Sequence, residues 1–345
     1  MSEPKKHHYI PVCYSANFTN TENYLQIMDL WEGSRTFPNK PEKAFTAKYM
    51  YSQPVYAESR FDNSIEHLFS REVESQWTPF INRMLVKNIL TKEDWGYLVR
   101  FICSMLVRVP ITFDAIIELL KRHVIECVPD DIAPPDELIN VHLKSTGGND
   151  GEKVTFEDLI NSGTIDLNID PHRCVTSMSK IISNIELFQP GFPFGGPKII
   201  HNKSKVNFLS SDNPVCFFTG SINNNKFLPY HIQRGKPLKF IFPISSSMAV
   251  VNNDFVKGKS IHVDVKDSEL IAKMNRVICK FSYRYVFSDQ VNRLACAKKY
   301  QNTCPRPIYE KSVVGNGEVY KIAYKFGLPE KINNFWKYDI SRQAN

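Results

Sequence analysis

The hydrophobic period of this chain shifts from helical to strand-like across a stretch that neither a helix nor a strand can continue through. Pro190, Pro193 and Pro197 alternate there with Gly191, Gly195 and Gly196. Proline lacks a backbone donor and fixes φ, while glycine frees the backbone, so the stretch reads as a stiff, glycine-punctuated connector. Ahead of it, Ile65, Leu68, Phe69, Val73, Trp77, Phe80, Ile81, Met84 and Leu85 recur at three- and four-residue steps, the period of an amphipathic helix. Behind it, short runs rich in Val, Ile and Phe lie between turn residues, the pattern of buried strands. Helices followed by strands imply an α+β fold. The parts expected are an N-terminal strand and arm over 5–60, a helical middle over 62–190 and a C-terminal mixed β-sheet over 198–345 that the N-terminal strand joins. Together they make a single domain, 1–345.

Local signals refine this outline. Asn63 and Asp62 are good N-caps for the first helix, and Pro79 is expected to break or kink it. A second helix starts after Thr91, with Asp94 placed for a capping box, and ends at Arg108-Val109-Pro110. A third follows from about Thr112. Further helices are expected over 136–143, 156–160 and 170–188. Strands are expected over 198–201, 205–210, 215–218, 237–243, 247–252 and 260–265, then a helix from Asp267, a strand over 283–287, a final helix from Ser288 and two strands in the tail.

Composition narrows the class. Apolar residues make up 42% and charged residues 23%, which supports a packed core and excludes wholesale disorder. The net charge of +7 is mildly basic and suits an anionic partner. Eight cysteines lie scattered with no C-x-x-C pair and no export signal ahead of them, so the expected location is a reducing cytoplasm. No apolar run is long enough to span a membrane.

Two short motifs stand out. His7-His8-Tyr9-Ile10-Pro11 has strand character, and alternation lets only one of the two histidines face a given site. Ser211-Asp212-Asn213-Pro214 is a polar corner between apolar runs. It leaves Asp212 either bonding backbone as a turn residue or facing a cleft from a strand end. With Val215, and with Glu66, Glu74, Arg108-Val109-Pro110, Asn275 and Tyr285-Val286-Phe287-Ser288, these motifs resemble those of an uncharacterised, mostly bacterial family, domain-of-unknown-function family 4238. The resemblance spans about residues 5–290 and departs at Val12-Cys13, where the family has a glutamine and an aromatic residue. It implies a shared fold and brings no activity with it.

The residues themselves suggest chemistry. His8, Glu66, Glu74, Arg108, Asp212 and Asn275 contain the parts of an acidic site. Carboxylates with a histidine suit Mg²⁺ or Mn²⁺, with His8, Glu66 and Asp212 as the expected ligands. Such an ion could activate water for phosphodiester hydrolysis, with an arginine steadying the developing charge. The catalytic set is then His8, Glu74, Arg108, Asp212 and Asn275, and the partner is nucleic acid or another anionic phosphate ligand. A nuclease of this kind would serve defence against foreign nucleic acid. Arg108 has a second reading, as a helix-end cation or the ion-pair partner of Glu74. The basic, aromatic tail (Lys298, Lys299, Tyr300, Tyr324, Lys325, Phe326) could stack and hold nucleic acid, or be strand surface. Phosphate-loop, zinc-protease and serine-hydrolase patterns do not occur. The alternative to an enzyme is a non-catalytic binding or interaction module whose motifs are structural.

Overall fold

The computed structural model describes residues 6–48, 50–55, 60–128, 133–149, 151, 153–165, 167, 197–222, 227–232, 236–252, 261–314 and 317–327. The expected helix over 170–188 and the connector up to Gly196 lie outside the described residues.

The N-terminal part runs β1 (Lys6–His8), α1 (Val12–Ser15), β2 (Leu25–Asp29), β3 (Arg35–Asn39), β4 (Thr46–Lys48), β5 (Gln53–Val55) and β6 (Arg60–Asp62). The helical middle holds α2 (Ser64–Leu68), α3 (Trp77–Leu85), α4 (Lys92–Arg108), α5 (Pro110–Glu126), α6 (Asp136–Thr146) and α7 (Phe156–Asn161). A π turn (Phe69–Val73) and a 3₁₀ turn (Glu74–Gln76) join α2 to α3. The break in the first helical run therefore falls ahead of Pro79. That proline is the third residue of α3, in the first turn, where its missing N–H disturbs no helical bond. Thr91 and Asp94 form the capping box that opens α4, and Val109 alone links α4 to α5.

The C-terminal part holds β7 (Pro197–Asn202), β8 (Ser210–Ser211), β9 (Cys216–Thr219), β10 (Leu238–Ser245), β11 (Met248–Asn252), β12 (Ile261–Val265), α8 (Ser268–Phe281), β13 (Tyr285–Ser288), β14 (Pro305–Val314) and β15 (Gly317–Phe326). The run over 205–210 yields only the two-residue β8. Val291–Thr303 is wound as 3₁₀ turns in place of the expected final helix. Pro243 sits at a register shift in β10, where its missing donor costs the ladder least.

Two sheets carry the fold. One is five-stranded and mixed, in the order β12-β7-β11-β10-β9, with β12 parallel to β7 and the remaining pairs antiparallel. Because side chains alternate across a strand, its two faces feed two cores. Ile199, Phe240, Phe242, Met248 and Val250 face the arm and the helical middle. Ile200, Cys216, Phe218, Ile241 and Ala249 face Ile271, Met274, Val277 and Ile278 of α8. The second sheet has the order β3-β2-β13-β8. It is here that an N-terminal strand joins the C-terminal part, and the strand is β2.

The His-His-Tyr strand was expected in that role, and this is a correction. β1 pairs antiparallel with β4 in a separate two-stranded ribbon. All three residues of β1 are taken up by β4, in the register Lys6 to Lys48, His7 to Ala47 and His8 to Thr46. Pro11 then removes a donor, and α1 begins directly after it.

Aromatic rings tie the parts together. Tyr14 of α1 stacks on Phe242 of β10 with centroids 5.5 Å apart, and Trp77 of α3 stacks on Phe101 of α4 at 3.8 Å. The Tyr14 hydroxyl donates to the Pro243 carbonyl at 2.6 Å and lies 2.8 Å from Ser210 Oγ. In a Tyr14→Phe variant the Pro243 carbonyl and Ser210 hydroxyl lose a buried partner, which costs about 1–3 kcal/mol. Denaturant unfolding is expected to show that loss with an unchanged m-value; an unchanged midpoint would mean the two bonds contribute nothing net.

Candidate functional site

Arg108 ends α4 with its side chain wholly buried. A buried guanidinium needs charge and hydrogen-bond partners. Nη1 donates to Glu74 Oε1 at 2.8 Å and Nη2 to the His8 carbonyl at 2.6 Å. The guanidinium lies over the Phe69 ring at 4.4 Å and the Tyr51 ring at 5.8 Å, a cation–π setting. Burial works against its charge, but Glu74, Tyr51 and Glu66 outweigh that and hold its pKa above the ordinary value.

The π turn accounts for the two glutamates meeting one arginine. In an α-helix of 3.6 residues per turn, eight residues overshoot two turns by roughly 80°. A π turn winds each residue through a smaller angle. With Phe69–Val73 wound this way, Glu66 and Glu74 come round toward the same face. Glu66 is largely buried, and its Oε2 has no hydrogen-bond partner among the described residues. Burial pushes it up to about 7; Arg108 pulls it down and Glu74 adds to the rise. Glu66 therefore exchanges its proton near neutral pH, as a general acid or base requires.

His7 and His8 divide between faces, as alternation demands. The His7 Nδ1 accepts from the Tyr51 backbone N–H at 3.0 Å, and its ring stacks on Tyr51 at 5.6 Å. His8 faces the cluster side, half-buried. Its Nε2 is 3.1 Å from the Glu42 carbonyl. A carbonyl only accepts, so Nε2 carries the hydrogen and Nδ1 is the acceptor of the neutral ring. Burial, helped by Arg108, lowers the His8 pKa from 6.5 against the raising effects of the Glu42 carbonyl and Glu74. Tyr51, which no sequence signal singled out, sits beneath Arg108 with its hydroxyl 3.3 Å from the Arg108 carbonyl.

Asp212 and Asn275 lie elsewhere and serve the backbone. Asp212 Oδ1 accepts from the Tyr283 N–H at 2.9 Å; Oδ2 accepts from Arg284 at 2.8 Å and Tyr285 at 2.9 Å. Its carboxylate thus caps the start of β13, and burial raises its pKa to about 7 against the pull of those bonds. Asn275 on α8 holds the approach to β8, accepting from Leu209 N–H at 3.0 Å and donating to the Asn207 carbonyl at 2.8 Å. Asp212 does bond backbone, but that of residues 283–285 and not its own turn, so neither the local-turn reading nor the cleft reading describes its contacts. The expected ligand trio of His8, Glu66 and Asp212 does not assemble. Among the described residues no three His, Cys, Asp or Glu side chains are grouped as metal ligands. Arg108, expected at the transition-state charge, is wholly buried and pairs with Glu74. In the tail, Tyr324 stacks on Tyr230 at 4.3 Å and is packed against the body.

Two outcomes follow from these environments. An Asp212→Asn variant keeps one acceptor oxygen for three backbone donors, so urea unfolding is expected to show a loss of about 2–3 kcal/mol. A change near zero would mean that β13 holds its start without the carboxylate. For Glu66, the folded chain retains a proton between its ordinary 4.5 and about 7 that the unfolded chain has released. Stability therefore falls as pH rises through that window, by up to about 2–3 kcal/mol after allowance for partial exposure. Asp212 adds to the same slope, so the difference between wild type and Glu66→Gln reports Glu66. Parallel Tm-against-pH curves for the two proteins would remove the shifted proton from Glu66.

Among the described residues no helix is long and apolar enough to cross a membrane. No curated protein and no solved structure matches the chain. A family described as "Protein of unknown function (DUF4238)" matches residues 6–291. That match takes in the His-His-Tyr ribbon, the buried arginine with its two glutamates, the Asp212 cap and the start of the 3₁₀ segment. The chain belongs to the DUF4238 family.

Proposed function

We propose that the chain is a cytoplasmic phosphodiester hydrolase, nuclease-like, whose reacting groups are Glu66, Glu74 and His8 held by Arg108. The observation that carries this reading is the buried Arg108, which bonds Glu74 and the His8 carbonyl and acts electrostatically on Glu66, a largely buried carboxyl pushed up to about 7. General acid–base groups need such matched protonation. Mg²⁺ commonly takes one or two protein carboxylates and completes its shell with water and substrate phosphate. Glu66 and Glu74 could supply those carboxylates to Mg²⁺ or Mn²⁺ without Asp212. The metal would supply an activated water and charge relief at the scissile phosphate. Arg108 would hold Glu74 in place through its Nη1 bond. Action on foreign nucleic acid, as in defence, belongs to the same proposal.

A second reading is a non-catalytic binding module. It is favoured by Asp212 and Asn275, whose polar atoms are taken up by backbone. Hydrolysis of an activated phosphodiester and of single-stranded DNA and RNA with Mn²⁺ separates the two readings. Glu66→Gln and Glu74→Gln are expected to lower the rate by roughly a hundredfold or more; Glu74→Gln is expected to lose stability as well, because it removes the counter-charge of the buried Arg108. Mn²⁺ is expected to raise the wild-type Tm and not that of the double variant. A wild type inert on every substrate, or variants as active as wild type, would leave the binding module.

A further inference from the structure

An open cleft of about 210 Å³ lies beside the β1–β4 ribbon. It brings together two motifs that the acid–base cluster does not use. Tyr9, next to His8, lines it, and so does Tyr285 at the start of β13. Phe37 of β3, Phe45, Lys43 and Asn39 line it as well. Tyr9 and Phe45 pack edge to face at 6.1 Å, and Phe45 packs on Tyr285 at 6.1 Å, so the aromatic wall is continuous. The third motif acts from behind: Asp212 bonds the Tyr285 N–H and so fixes where that ring stands. The polar cap described above is in this sense a support for the cleft.

Three features suit this cleft to a ligand. Phe45 has φ +54, a costly backbone for a bulky residue, and such strain gathers at ligand clamps. Its carbonyl is held by the Tyr9 N–H at 3.0 Å, which fixes the strained geometry. Lys43 is exposed and makes no ion pair among the described residues. Asn39 Oδ1 accepts from the Lys40 N–H at 2.9 Å, which leaves its Nδ2 donors for another acceptor.

Size and charge choose the occupant. A cavity of roughly 150 Å³ holds a benzene ring, so about 210 Å³ takes one six-membered ring with its substituents. Aromatic side chains favour a planar ring by stacking, the amide offers donors to a carbonyl-bearing edge, and a lysine suits a phosphate. We infer that this cleft is a nucleotide subsite that seats one pyrimidine-sized base against Phe37 and Tyr285, with Lys43 on its phosphate. The inference rests on the phosphodiester reading for its choice of ligand, and it deepens that reading by naming where a substrate strand is gripped.

Calorimetric titration of the full chain with uridine 5′-monophosphate and with ribose 5-phosphate tests it. The nucleotide is expected to bind saturably, and the baseless sugar phosphate at least tenfold more weakly. Lys43→Ala and Phe37→Ala are each expected to weaken nucleotide binding about tenfold while the Tm stays near wild type. Should Phe37→Ala unfold, Phe37→Leu keeps apolar bulk without the ring and is read in the same way. No saturable nucleotide binding, or binding indifferent to both substitutions, overturns the subsite. Binding that depends on Lys43 and Phe37 upholds it even if no hydrolysis is found. Hydrolysis that is lost in Glu66→Gln, with no nucleotide bound at the cleft, overturns the subsite and leaves the hydrolase reading standing.

Discussion

A guanidinium with no access to water is costly unless its charge is answered; in Arg108 both Nη atoms are bonded, while Nε has no partner among the described residues. Around Arg108 the answers come from separate stretches of chain. The carbonyl of His8 comes from the first strand, the ring of Tyr51 from the arm, and Phe69 and Glu74 from the π and 3₁₀ turns. Withdrawing any one of them leaves a buried charge short of a partner. The four stretches are therefore bound to one another through one side chain. The proton affinity of Glu66 follows from the same arrangement, because burial, Arg108 and Glu74 together set it.

Asp212 shows how a structural group can carry the local signature of a reactive one. A short polar motif between apolar runs places a carboxylate at a strand end in either case. What separates the two is where the chain returns. Here Tyr283–Tyr285 comes back across the strand end and presents three N–H groups to it. The same backbone then continues as β13, clamped from the other side by Arg284 on Asp29 at 2.6 Å. Asn275 and Asn213 work in the same manner, Asn213 donating to the Phe281 carbonyl at 2.7 Å. Polar residues that complete buried backbone are as constrained as catalytic ones, since an unmet buried donor is expensive.

What could be read in the sequence was local. Thr91 with Asp94, and Asp267 with the N–H groups of Glu269 and Leu270, are caps spelled within four residues. Apart from the two-residue β8, the strands from Pro197 to Val265 announced themselves as apolar runs between turns. The ion pair of Arg108 with Glu74 was open as one of two readings. The partner of β1 was not legible, because pairing depends on which edges remain free once other strands have paired. Nor was the π turn, which has no residue signature and yet decides that Glu66 and Glu74 share an arginine. Tyr51 lay in an irregular stretch with nothing around it to mark a buried ring.

The bond from Tyr14 to Pro243 spans 229 positions of chain. During synthesis at roughly 5–20 residues per second, the first helix therefore waits about 10–50 seconds for the strand that takes its hydroxyl and covers its ring. Until then Tyr14, Phe18 and Trp77 form an apolar cluster with one side open, since the Phe242 face that closes it does not yet exist. Order of emergence thus makes the sheet the lid of a core whose floor is laid first, and contacts of this reach slow the final closure.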